Sequence, residues 1–134
     1  MNWIATAGLT AMVATAALAQ PGQGQRPVRV GLSGPDMDAC LTTGAVQGLD
    51  RNGDNFLTVR ARPSRVAPAL DQLRTGRQVW MCDGDGVSGW TGIVYATEPG
   101  QECDVGSPVA SPRAYAGPCR QGWVASRYLR VVAG

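Results

Sequence analysis

Gln78-Val79-Trp80-Met81-Cys82, then Asp83-Gly84-Asp85-Gly86-Val87-Ser88-Gly89, then Trp90-Thr91-Gly92-Ile93-Val94-Tyr95, is the stretch whose reading decides the fold. Two runs rich in β-branched and aromatic residues flank a loop of Gly, Asp and Ser, which is how a β-hairpin reads. Strand alternation sends Val79 and Met81 to one face with Ile93, and Trp80 and Trp90 to the other. The loop's Asp and Gly residues read as a flexible turn rather than a metal site.

The same pattern recurs on both sides of this hairpin. Ala45 to Leu49 and Phe56 to Arg60 read as strands joined through Asp50-Arg51-Asn52-Gly53-Asp54-Asn55, where Asn-Gly signals a tight turn. Asp50, Asn52 and Asp54 alternate as in a calcium loop. Asn55, however, stands where that loop needs glycine, and Ala61 where it needs a bidentate glutamate. Arg62-Pro63 and Ala67-Pro68 break any helix in the following stretch, and Thr75-Gly76 marks a turn. Gly122 to Val131 reads as one or two further strands. Residues 96–119 show no periodicity and carry several prolines with Cys103 and Cys119, so they read as an excursion pinned by a disulfide. Residues 20–39 are Gln/Gly/Pro-rich, with a brief alternation from Val28 to Leu32, and read as a linker or N-terminal arm.

Composition agrees with many short strands. The chain has 134 residues, with Gly 18 and Pro 9, about a fifth of the chain against a usual ~12%. A hydrophobic content of 44% with 16% charge implies a single packed domain. All 12 basic residues are arginine, and histidine is absent. Ser-His, Cys-His and Ser-Lys pairs, Schiff bases and imidazole metal sites are therefore excluded. A net charge of +2 with dispersed arginines gives no nucleic-acid footprint. The densest basic cluster, Arg60-Ala61-Arg62-Pro63-Ser64-Arg65, reads as a solvated loop. Asp83, Asp85, Glu98 and Glu102 are the carboxylates a hydrolase would need, but they fall in turns without an expected cleft. No enzyme, catalytic residue, metal or cofactor is expected.

Residues 1–19 form an uncharged Ala/Val/Leu/Ile/Thr-rich run ending Ala17-Leu18-Ala19, followed abruptly by Gln20-Pro21-Gly22. This reads as a secretory signal cleaved after Ala19, leaving a secreted or periplasmic chain with no stable membrane insertion. In an exported chain, Cys40, Cys82, Cys103 and Cys119 read as two disulfides, since there is no Cys-x-x-Cys and no histidine to complete a zinc set. Of the possible connectivities, Cys103 with Cys119 and Cys40 with Cys82 is favoured. The first closes a short Pro/Gly-rich loop that could hardly order itself otherwise.

Several further features occur together and in order: Phe56-Leu57-Thr58-Val59-Arg60 followed by Pro63, Leu73 to Gly76 before Val79 and Met81, Gly89-Trp90, and Gly122-Trp123-Val124 leading to Tyr128-Leu129. In this the chain resembles the bacterial SH3-like (SH3b) domain over roughly residues 42–131. Ala61-Arg62 stands where a small Ser-Gly pair often follows the Val-Arg, and the Cys103 to Cys119 excursion replaces a shorter turn. The resemblance implies an all-β fold, a small antiparallel SH3-like β-barrel of about five or six strands. Here it carries an N-terminal arm and a disulfide-pinned insertion at 96–119, with the domain running from 40 to 134.

The resemblance also implies a module that binds rather than catalyses, recognising a peptide or the peptide and glycan parts of cell-wall murein (peptidoglycan). Aromatic rings suit that work, since they bury large area at little entropic cost and keep a polar handle. The candidate ligand-binding residues are Trp90, Trp123 and Tyr128 as platform, with Arg60 and Arg127 for ligand carboxylates. The other expectation is a structural or interaction protein of the envelope, or a secreted inhibitor, presenting the 96–119 loop to a protein partner.

Overall fold

The computed structural model describes residues 4–13, 24–84 and 87–134. The expected cleavage point after Ala19, and Asp85 in the hairpin loop, lie outside the described residues. Ile4, Leu9, Met12 and Val13 are exposed and contribute nothing to a core. No helix among the described residues is long and apolar enough to cross a membrane.

The chain is all-β. Its strands are β1 (Arg29–Val30), β2 (Thr42–Val46), β3 (Leu57–Arg60), β4 (Ala69–Leu73), β5 (Gln78–Asp83), β6 (Trp90–Tyr95), β7 (Arg113–Ala114), β8 (Arg120–Ala125) and β9 (Leu129–Ala133), with a 3-10 turn over Ser126–Tyr128 between the last two. Seven of them form one antiparallel sheet in the order β4-β3-β8-β6-β5-β2-β9, while β1 and β7 pair separately. The hairpin read from the sequence is present: β5 pairs with β6 through Trp80–Val94 and Met81–Ile93, with a register shift before Asp83–Gly92.

Two expectations about connectivity are corrected. β2 and β3 are not neighbours, so the Asn52-Gly53 segment is not a tight hairpin turn. It lies in a longer loop that crosses between strands, and neither residue takes the positive φ that a two-residue hairpin turn requires. Nor do the described residues form a closed barrel. The two end strands, β4 and β9, do not pair with each other. Register shifts at Val59/Arg60 and Thr43/Gly44 interrupt the pairing of these end strands with their neighbours.

Alternation divides the sheet's side chains between two cores. Val46, Leu57, Val59, Leu73, Val79, Ile93, Tyr95 and Val124 are buried together on the inner face, with Met81 packed against them. Gly122 belongs to this face by necessity: a Cβ there would lie 2.3 Å from Val59 Cγ1 and 3.1 Å from the Arg60 carbonyl oxygen. At the rim of the same core, the Tyr95 hydroxyl donates to Asp71 Oδ2 at 2.8 Å, and Arg120 pairs with that oxygen at 3.1 Å. This ties edge strand β4 to β6 and β8. Burial alone would raise the Asp71 carboxyl, but hydrogen bonds from the Gln72 N–H, Tyr95 and Arg120 outweigh it and hold it below its ordinary value. Burial, then the Asp71 carboxylate, push the Tyr95 phenol well above its ordinary value.

The outer face is covered by a second layer that the sequence reading assigned to loops. Val28, Val30, Ala39 and Cys40 from the arm meet Cys103, Val105, Tyr115 and Cys119 from the excursion over Val94 and Trp123. The two segments are zipped together by β1–β7 pairing, by Ala39 N–H to Ser107 O, and by Cys40 N–H to Val105 O. Residues 28–39 thus form a packed arm, with Val28 and Val30 inward as their alternation allows, and not a free linker.

Both expected disulfides are present, Cys40–Cys82 and Cys103–Cys119. The first joins the arm to β5 and the second closes the excursion just before β8. Together they point to an oxidising, extracytoplasmic compartment. Inside the excursion, the Tyr115 hydroxyl donates to Cys103 O at 2.7 Å and accepts from Cys119 N–H at 3.1 Å, spanning the loop the disulfide closes. Burial raises the Tyr115 phenol, with the Cys119 hydrogen bond opposing and Asp104 adding to the rise.

Candidate functional site

The second layer stops short of the β3 end of the sheet. There the outward residues of β3, Thr58 and Arg60, and those at the β6–β8 margin, Trp90 and Ala125, line an open groove of about 480 Å³. Three other segments complete its walls. The 47–56 loop contributes Leu49, Asp50, Asp54 and Phe56, and the 3-10 turn contributes Tyr128, with Arg65 reaching in from the loop after β3.

Local hydrogen bonds explain why these pieces meet. The Ser126 N–H donates to Gly89 O at 2.8 Å, and the Ser126 and Thr91 hydroxyls share a 2.7 Å hydrogen bond, so the 3-10 turn is held against the start of β6. That places Tyr128 beside the groove that Trp90 enters. Gly89, at φ +81, supplies the left-handed backbone that leads the hairpin loop into Trp90. The Gln47 N–H donates to Tyr128 O at 2.8 Å, which ties the 47–56 loop to the same turn. Arg60 is steadied by donating through Nη1 to Ala67 O at 2.9 Å.

Trp90, Tyr128 and Phe56 are each half-buried, Trp90 packed against the outer core and Tyr128 against the inner one. No hydrogen-bond partner within the described residues engages the Trp90 indole N–H or the Tyr128 hydroxyl. Among the described residues no buried side-chain polar atom is left unsatisfied, so both groups reach solvent. Trp90 and Tyr128 therefore each combine an apolar ring with one directional polar group, and Phe56 adds an apolar ring alone.

Of the five residues expected in a site, the fold brings three into this groove: Trp90, Tyr128 and Arg60. Arg127 does not line the groove; it is exposed and lies over the Tyr128 ring at 4.7 Å. Trp123 is elsewhere and is corrected as a platform residue. It is 2% exposed, beneath the second layer, and its N–H is already taken by Arg26 O. Trp80 is half-buried against the same outer layer, as its predicted face requires.

Phe56, Asp50, Asp54 and Arg65 were not anticipated. Phe56 was legible as the one phenylalanine in the chain, placed at a strand start. The others depend on how the 47–56 loop folds back, which no periodicity in the sequence encodes. Compared with known proteins, the chain matches no family model, no curated protein and no solved structure.

Proposed function

We propose that this chain is an exported, non-catalytic binding module of SH3-like type whose ligand is a peptide, in the first place the peptide part of cell-wall murein. The observation that carries the reading is the convergence of Phe56, Trp90 and Tyr128 with Arg60 on one open groove. Three ring faces in a shallow cleft suit an extended chain that must be gripped without being enclosed. Arginine adds bidentate recognition of carboxylates, in which stem peptides are rich. The SH3b resemblance supports the same ligand class, and the disulfides support an envelope or extracellular setting.

The alternative, an envelope protein or inhibitor presenting residues 96–119 to a partner, has less behind it. Val105 and Tyr115 of that segment point into the molecule and cover Val94 and Trp123, so an internal packing role already explains the insertion. Co-sedimentation with purified murein tests the proposal. The protein is expected in the pellet, and retention in the supernatant counts against it.

A further inference from the structure

The groove carries charges of both signs that do not neutralise one another. Asp50 and Asp54 enter it from the 47–56 loop, and Arg60 and Arg65 from β3 and the loop after it. Among the described residues the one side-chain ion pair is Arg120–Asp71, and neither of its members lines the groove. Asp50 spends one oxygen on the Asn52 N–H at 2.9 Å, and Arg60 spends one nitrogen on Ala67 O. Asp54 and Arg65 have no partner among the described residues, and both are exposed.

Opposite charges that share a cleft yet remain unpaired make it dipolar. A purely anionic ligand meets the two aspartates, and a purely cationic one meets the two arginines; like-charge juxtaposition of that kind discriminates strongly against a partner. A molecule bearing both charges along an extended backbone satisfies both sets while its body lies on the rings. We infer that the groove selects a zwitterionic peptide, its ammonium or guanidinium group toward Asp50 and Asp54 and its carboxylate toward Arg60 and Arg65. The inference rests on the reading of this groove as a peptide site and specifies the charge pattern of its ligand. Murein stem peptides that contain a diamino acid have this pattern, and so do ordinary peptides carrying both lysine and glutamate.

The test uses the whole protein and four probes in NMR titrations. These are a murein stem peptide with a free amino group on its diamino acid, the same peptide N-acetylated, the same peptide with its carboxylates amidated, and a linear L-peptide with one lysine and one glutamate. The free stem peptide is expected to bind at least about tenfold more tightly than either blocked form, with the difference shrinking as salt rises. In Asp50→Asn/Asp54→Asn the penalty for acetylation disappears, and in Arg65→Gln the penalty for amidation shrinks, the signature of pairwise coupling. Tight binding of the linear L-peptide supports the charge pattern and makes a protein segment the source. Equal affinity for free and blocked forms, in the parent and both variants, overturns the charge inference and leaves the peptide reading standing. No binding of any probe together with no sedimentation on murein removes the peptide reading itself, and the inference falls with it.

Discussion

The indole N–H of Trp123 donates to the carbonyl oxygen of Arg26 at 2.9 Å, and the Arg26 guanidinium lies 5.0 Å from the centre of the same ring. Two residues at opposite ends of the domain are thereby locked together, and the arm becomes part of the fold. Val28 continues the lock, donating its N–H to Gln121 Oε1 at 2.9 Å, while Gln121 Nε2 donates to Tyr115 O at 2.9 Å. One β8 side chain thus holds arm and excursion at once.

Trp123→Phe keeps most of the ring's bulk but removes the donor to Arg26. A stability loss of about 1–3 kcal/mol is expected, from the lost hydrogen bond and a smaller ring in a close-packed site. Urea unfolding followed by circular dichroism measures it. Binding to murein should survive in the folded fraction, because this tryptophan is not in the groove.

Gly122→Ala forces a methyl group against Val59 and the Arg60 carbonyl where β8 meets β3. Overpacking of this kind costs roughly 1–3 kcal/mol. Since Arg60 lines the groove, the same variant should also weaken ligand binding. An unchanged melting temperature would show that the β3–β8 contact is looser than described.

Replacing both Cys103 and Cys119 with alanine opens a loop whose two ends are 16 residues apart. In the chain-entropy description the cost is roughly 3 kcal/mol. The cross-loop hydrogen bonds of Tyr115 remain, so the excursion should loosen without leaving the sheet. Under native conditions faster hydrogen exchange confined to residues 101–119 is the expected pattern, and a larger increase in the β5–β6–β8 core than in that segment contradicts it.

Stability should fall at both ends of the pH scale for opposite reasons. Asp71 has a folded-state pKa below its unfolded value of about 3.9, so its contribution is present above that value and is lost as pH falls through the folded one. Tyr95 and Tyr115 are raised in the folded state, so their contribution is complete below an unfolded pKa of about 10 and is lost as pH rises beyond it. Denaturant midpoints measured across pH should show both slopes, with Tyr95→Phe flattening the alkaline one and Asp71→Asn the acidic one.

The hairpin and the strands around Val59 and Val124 were legible because alternation is a local property. Their inner-face residues carry it in an unbroken form. β4 was missed because Ala69-Leu70-Asp71-Gln72-Leu73 holds no β-branched residue, and it is an edge strand whose Asp71 is recruited by Tyr95 and Arg120. The disulfide pairing was legible from loop length and composition. What the disulfides hold together was not, because Gly/Pro-rich segments have no period to reveal that Val28, Val105 and Tyr115 share one core. The same gap explains the tryptophans: Trp90 and Trp123 fall on one face of the sheet, and only the extent of the second layer decides which is sealed and which stays open.

The most direct measurement is co-sedimentation with purified murein, comparing the parent protein with Trp90→Ala at matched foldedness, verified by circular dichroism and thermal melting. The parent protein is expected to pellet and Trp90→Ala to lose binding by about tenfold or more, as removal of a central aromatic contact does. If the parent protein stays in the supernatant, or if both proteins pellet equally, the groove built by Phe56, Trp90 and Tyr128 is not a murein site.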